Sequence, residues 1–215
     1  MSSLRLADPQ TVADLRTFVS RARAADDGAI RFQASETVLA AWVCSMRPRL
    51  LGEGTPTILG LRTMPLAEPE LLDQTVPLAA VADRLARMGE SETELAIPPM
   101  TVNESWAALS APRADWVLLG EVEGAALIDV AKEGVREIAQ IIPVNPGALI
   151  VNNARAAVWG RAMEQHAGLP AGAAFAGYAL GFWQPAERIS IHRSGRWSRL
   201  SSSLGHVLIR PPAKL

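Results

Sequence analysis

The segment from Leu169 to Leu200, LPAGAAFAGYALGFWQPAERISIHRSGRWSRL, limits the fold more than any other part of the chain. Its first half lies in a run without charge from Ala167 to Ala186. There Ala173, Gly177 and Gly181 recur every four residues, while Phe175, Tyr178 and Phe182 fall at i, i+3 and i+7. On a helix these make one flat small-residue face and one aromatic face. A helix apolar all round belongs in an interior or at an interface between copies. Leaving each aromatic in water forfeits roughly 1.5–3 kcal/mol. The first expectation is therefore a helix over Ala171–Trp183, with Ala173, Gly177 and Gly181 as a helix-packing or oligomer face. The run approaches membrane-spanning length, but Pro170, Pro185 and its Ala/Gly character argue against a span.

Beyond this helix the pattern changes to strands: Arg188–Arg193, Arg196–Ser201 and His206–Arg210. Ser194-Gly195 reads as a two-residue hairpin turn and Ser203-Leu204-Gly205 as a looser one. Two helices, about Glu123–Ile141 and Leu149–Gln165, precede the apolar helix. Three helices followed by a basic hairpin is the order of elements in a winged-helix DNA-binding domain. The hairpin carries Arg188, His192, Arg193, Arg196, Trp197 and Arg199 as candidate anion or nucleic-acid contacts. A tryptophan among arginines suits stacking plus charge on a single strand or a nucleotide. A recognition helix, however, needs donors and acceptors for base edges. Between Ala171 and Trp183 there is no Arg, Lys, Asn, Gln, Ser or Thr. Nucleic acid is thus not the favoured partner, and a charge-protected edge is the simpler reading of the ribbon.

The N-terminal part begins with Asp8-Pro9, an N-cap followed by proline at the first helical position. Val12, Leu15, Phe18, Val19 and Ala22 follow at helical spacing, and Asp26-Asp27-Gly28 ends the helix. Ile30–Ala34, Val38–Met46 and Thr57–Thr63 read as an antiparallel meander around a Gly52/Gly54 loop. A second helix opens at Pro77, with Leu78, Val81, Ala82 and Leu85 on one face. Thr101 to Glu104 has the spacing of a capping box ahead of Trp106. Trp116–Leu119 reads as a strand, Val144-Asn145-Pro146-Gly147 as a turn, and Asn152-Asn153 as helix-capping residues.

The net charge of −1 hides an uneven distribution. Residues 51–150 carry 15 acidic and 6 basic side chains, and residues 151–215 carry 2 and 8. Complementary surfaces are one consequence of such blocks. The single cysteine, Cys44, excludes an internal disulfide and a cysteine-based zinc site. No phosphate loop or nucleophile elbow is present. His166, His192 and His206 have no ligand spacing. His192 or His206 beside Ser190 and Ser201 lacks an orienting carboxylate other than Glu187. Neither cofactor nor metal is expected. No secretory leader is visible, so the expected location is cytoplasmic.

The chain is expected to be α+β. The N-terminal part is an antiparallel meander with flanking helices, an α+β lobe over residues 1–115. A helical lobe over residues 116–215 follows, closed by a three-stranded C-terminal β-ribbon, and the two lobes form a single domain if they share a core. The leading functional expectation is a non-catalytic interaction or scaffold protein whose partner is another protein or a second copy. The alternatives are anion or nucleic-acid binding through the ribbon, and a small-molecule enzyme with a pocket between the lobes.

Overall fold

The computed structural model describes residues 2–49, 53–143, 147–164, 166 and 168–212. The expected turn at 144–147 and the last residues of the PPAKL tail fall partly outside them, while the helix expected to reach Gln165 ends at Trp159. The chain divides into two compact units. One is Met1–Ser45 with Gly60–Ser110, and the other is Met46–Leu59 with Ala111–Leu215. Both are mixed α+β, with antiparallel strand pairs and helices.

In the first unit, strand β1 (Ser3–Arg5) leads to helix α1 (Pro9–Ala25). The Asp8 carboxylate starts this helix by accepting from the N–H (2.7 Å) and hydroxyl (2.9 Å) of Thr11. The N–H is one of the backbone donors that a helix start leaves without a partner. Val12, Leu15, Phe18, Val19 and Ala22 are all buried. Strands β2 (Ala29–Ser35), β3 (Val38–Met46) and β4 (Thr57–Pro65) follow, then β5 (Leu72–Pro77). Their order is β5-β2-β3-β4, with β2 antiparallel to both β3 and β5. Helix α2 (Leu78–Arg87) packs on α1 and buries Leu78, Val81 and Leu85. Strand β6 (Glu94–Ala96) pairs with β1.

Two strands, β1 and β5, carry no strong alternation and were not expected from the sequence. Strand β5 is fixed by its neighbour. Arg31 on β2 grips the Asp73 carboxylate with two bonds of 2.7 Å, and Gln33 adds a third at 3.0 Å. The capping box expected at Thr101–Glu104 does not form. A short 3-10 turn, Ser105–Ala108, begins there without a side-chain cap. Burial of Trp106 and the bond from Arg31 to the Ala107 carbonyl (2.5 Å) hold it instead.

The second unit contains strand β7 (Val117–Glu123), helix α3 (Gly124–Ile141) and helix α4 (Ala148–Trp159). A two-residue pair, β8 (Ala162–Met163) and β9 (Leu169–Pro170), precedes helix α5 (Ala171–Leu180). Strands β10 (Arg188–Ser194), β11 (Trp197–Ser201) and β12 (His206–Arg210) complete it. The ribbon is more than a three-stranded closure, because β7 adds antiparallel to β10. Ile189, Ile191, Leu200, Val207 and Ile209 point from these strands into the core. The hairpin turn is Gly195-Arg196, one residue later than expected, and Gly195 takes φ +54° there.

Helix α5 stops three residues short of the expected Trp183. Gly181 adopts the left-handed conformation, φ 73°, and the chain reverses. The Phe182 N–H returns to the Gly177 carbonyl (2.7 Å), and the Trp183 indole N–H reaches the Ala174 carbonyl (2.8 Å). The Trp183 ring lies where a Gly177 side chain would be, 1.9 Å from an ideal Cβ. On α4, Trp159 stacks on Phe175 (centroids 4.5 Å apart) and presses against Gly134 of α3. Asn152 and Asn153 sit inside α4, not at its start, so they do not cap it.

Candidate functional site

The expected contact residues lie on the β10–β11–β12 sheet, and register sorts them. His192 is opposite Arg199, Ser190 opposite Ser201, and Ser194 opposite Trp197. Most of the cationic groups are engaged within the unit. Arg188 Nε donates to Glu121 (2.6 Å), and Arg196 donates to the carbonyls of Pro212 (2.7 Å) and Pro211 (3.4 Å). Arg199 lies 4.4 Å over the Trp116 ring, and Arg210 lies 5.7 Å over Trp197. Arg193 is exposed, whereas Trp197 is buried. The stacking platform expected of Trp197 is therefore covered.

Burial, and then the Arg199 charge, hold the His192 imidazole below its ordinary value of 6.5. Its Nδ1, the Arg199 Nε and the Ser201 hydroxyl are buried without hydrogen-bond partners. Glu187, the candidate orienting carboxylate, accepts from the Ser203 N–H (2.6 Å). Among the described residues, no group of three or more metal-ligating side chains gathers.

Ala173 is fully buried, Gly177 receives Trp183, and Gly181 forms the helix cap. Phe175 is half-buried on Trp159, and Tyr178 is exposed at one edge of α5.

Three surface features were missed in the sequence. In the first unit a cleft of about 370 Å³ lies between α1 and α2, lined by Arg16, Ser20, Arg23 and Asp83. Arg16, Ser20 and Arg23 recur at i, i+4 and i+7 beside the buried stripe, so the pattern was available. With Arg21, Arg84 and Arg87, the two helices hold five arginines against Asp14 and Asp83. Arg16 reaches across to the Leu85 carbonyl (2.9 Å), and Arg23 pairs with Asp27.

In the second unit, a cavity of about 370 Å³ opens between α3, α4 and the β8–β9 pair. The third feature is β7 itself, the last strand of its sheet. Val117, Leu118 and Leu119 are 63%, 56% and 46% exposed on it. The register of β7 on β10 slips between Ile191 and His192, opposite Gly120 and Leu118, so Leu119 bulges out of the ladder.

No helix among the described residues is long and apolar enough to cross a membrane. Residues 1–108 match the family model of the domain of unknown function DUF8010, and residues 111–214 match that of the domain of unknown function DUF8185. No curated relative matches the chain. Solved sliding clamps share its fold. A putative DNA polymerase III beta subunit from Eubacterium rectale has TM-score 0.53 at 10% identity, over 99% of this chain and 65% of that one. The Helicobacter pylori beta clamp bound to a DNA ligase peptide has TM-score 0.53 at 10% identity, over 98% and 66%. A sliding clamp from Bartonella birtlesii bound to griselimycin reaches 0.56 at 8% identity, over 98% and 65%. The chain spans about two thirds of the length of these clamps.

Proposed function

Since the chain belongs to the family of the domain of unknown function DUF8010 through residues 1–108, and has a sliding-clamp fold, we propose that it is a non-catalytic scaffold of clamp type, acting in the cytoplasm as an assembly of copies. The likeness extends over nearly the whole chain, and one of those clamps holds a DNA ligase peptide. The observation that carries self-association is the β7 edge. A terminal strand with exposed apolar side chains offers unpaired N–H and C=O groups to another strand. Chains blunt such edges with charge, proline or bulges; here Glu121 and Glu123 charge the far end of β7 and Leu119 bulges, while Val117 and Leu118 leave the near end apolar. Pairing with a second copy satisfies the backbone and sets the partner's side chains beside Val117 and Leu118 on the two faces of the sheet, each cross-strand pair contributing about 0.2–1 kcal/mol. Light scattering across a concentration series tests this. The wild-type chain is expected to be oligomeric, and Leu118→Lys to be monomeric with unchanged circular dichroism. A wild-type monomer at about 100 µM, where even weak pairing is populated, removes self-association.

A second reading concerns nucleic acid, and its support is the arginine-lined face of α1 and α2 rather than the C-terminal ribbon. Five guanidiniums on adjacent helices suit a phosphate backbone contacted without base reading. The ribbon residues Arg188, His192, Arg193, Arg196 and Arg199 are the alternative contacts in the same proposal; like Arg16, Arg23 and Arg84 of the helices, Arg188, Arg196 and Arg199 have partners within the protein.

A further inference from the structure

The cavity of the second unit has walls of one character and a rim of another. Val130 and Gly134 of α3, Val158 of α4, and Met163 of β8 make an apolar interior of about 370 Å³. That is at the small end of the range for ligand pockets, with room for one or two aliphatic side chains. Gly134 keeps α3 flat there, because Trp159 occupies the space a side chain would take, 2.2 Å from an ideal Cβ.

The rim is acidic. Glu133, Glu137 and Glu164 border the opening, with Arg161 and His166 as the basic residues among the lining residues. Arg161 is committed to Glu137 through two bonds of 2.8 and 3.0 Å. Glu133 pairs with Arg136 one turn along its own helix, with both side chains about two-thirds exposed. Such a pair contributes little and is readily exchanged for another cation. An apolar hole edged by carboxylates complements a group that is aliphatic at its end and positively charged beside it.

Resting on the scaffold reading, we propose that this cavity is a docking site for a protein segment that inserts a leucine-like side chain and places a neighbouring lysine or arginine against Glu133 and Glu164. The aliphatic anchor supplies the burial, and the rim selects the charge of the flanking residue and speeds the encounter.

The test uses the full chain and two fluorescein-labelled octapeptides, one with a Leu-Leu pair flanked by lysines and one with the same pair flanked by glutamates. Anisotropy is expected to show saturable binding of the basic peptide only. Glu133→Lys with Glu164→Lys, both exposed, is expected to weaken it about tenfold and to admit the acidic peptide. Ala162→Trp, an exposed lining position, is expected to block both peptides by filling the mouth. The proposal falls if neither peptide saturates below about 1 mM. It falls equally if the acidic peptide is preferred, or if Ala162→Trp changes nothing. Leucinamide binding as tightly as the basic peptide makes the cavity a small-molecule site and also overturns it. Light scattering on the same samples separates the two readings. Lost peptide binding with the oligomer intact counts against the cavity alone, while a monomeric wild type counts against the scaffold.

Discussion

Two clefts of equal volume, one in each unit, carry opposite chemistry. The α1/α2 cleft is lined by Arg16, Ser20 and Arg23 with a single carboxylate, Asp83. The α3/α4 cavity is bordered by Glu133, Glu137 and Glu164 with a single guanidinium, Arg161. The charge blocks along the chain point the other way, for residues 151–215 are strongly basic. The cavity rim draws two of its carboxylates from α3, which belongs to the acidic block. Meanwhile the C-terminal arginines are spent on Glu121, Trp116 and backbone carbonyls. The sign of a surface follows from which elements meet there, not from the running charge of the sequence.

The sharpest way to break this comparison is to disturb the packing behind one cleft and not the other. In Gly177→Val the new side chain enters the Trp183 ring, whereas Gly28 in the first unit has open space around its Cβ position. Overpacking a close-packed site costs about 1–3 kcal/mol, so the urea midpoint of Gly177→Val is expected to fall clearly. Gly28→Ala is expected to leave it within about 0.5 kcal/mol. Equal effects would mean that the second unit is not built around glycine contacts.

Replacing Arg16 and Arg23, which line the first cleft, together with Arg84 and Arg87 of α2 by Ala addresses the charge of that helix pair. Duplex-DNA affinity of the wild type is expected to fall steeply with salt, and the slope to drop by about 0.9 for each arginine in contact. Replacing Arg155 and Lys132 in the second unit should leave the slope unchanged. A slope that ignores the first set and follows the second would reverse the assignment.

Helix initiation sets one helix apart more gently. α1 has a side-chain cap, while α2, α3, α4 and α5 have none. Asp8→Ala is expected to lower the thermal midpoint. Bonds from the Thr11 N–H and hydroxyl hold the Asp8 carboxyl below its ordinary value of 3.8. Its stabilisation is therefore fully present above that value and lost as pH falls through the depressed one. A midpoint unchanged at pH 7 would exclude the cap as a contributor.

The smallest effect is expected from His192. Its folded value lies below 6.5, so the unfolded chain binds more protons as pH drops past that point. Stability should decline modestly from pH 7 toward the folded value and then level off. His192→Gln should flatten this limb, and an unaltered slope would assign it to other groups.

Much of the architecture was legible where the signal is local. The buried stripe of α1, its Asp8-Pro9 start and the alternation of β10 need only residues a few positions apart. The candidate surfaces were less legible. Trp197 and five basic residues are candidates for anion contact in the sequence, yet the sequence does not reveal that Trp197 is buried or that Arg188 meets Glu121. The arginine stripe of α1 had the right spacing but drew no notice, because single arginines on a helix face are ordinary.

Periodicity thus determined, from the sequence alone, that an apolar helix starts at Ala171 and that a ribbon follows it, and most of that helix is buried while Tyr178 is exposed. The tertiary structure decided where that helix ends, through Trp183 folding back onto Gly177, and it made β7 an exposed edge through pairing with β10. It also set the opposite signs of the two clefts. The physical reason is range. A helix period or a cap is satisfied within one or two turns, whereas an edge, a cavity and a spent charge exist only once residues tens of positions apart have competed for the same partners and space.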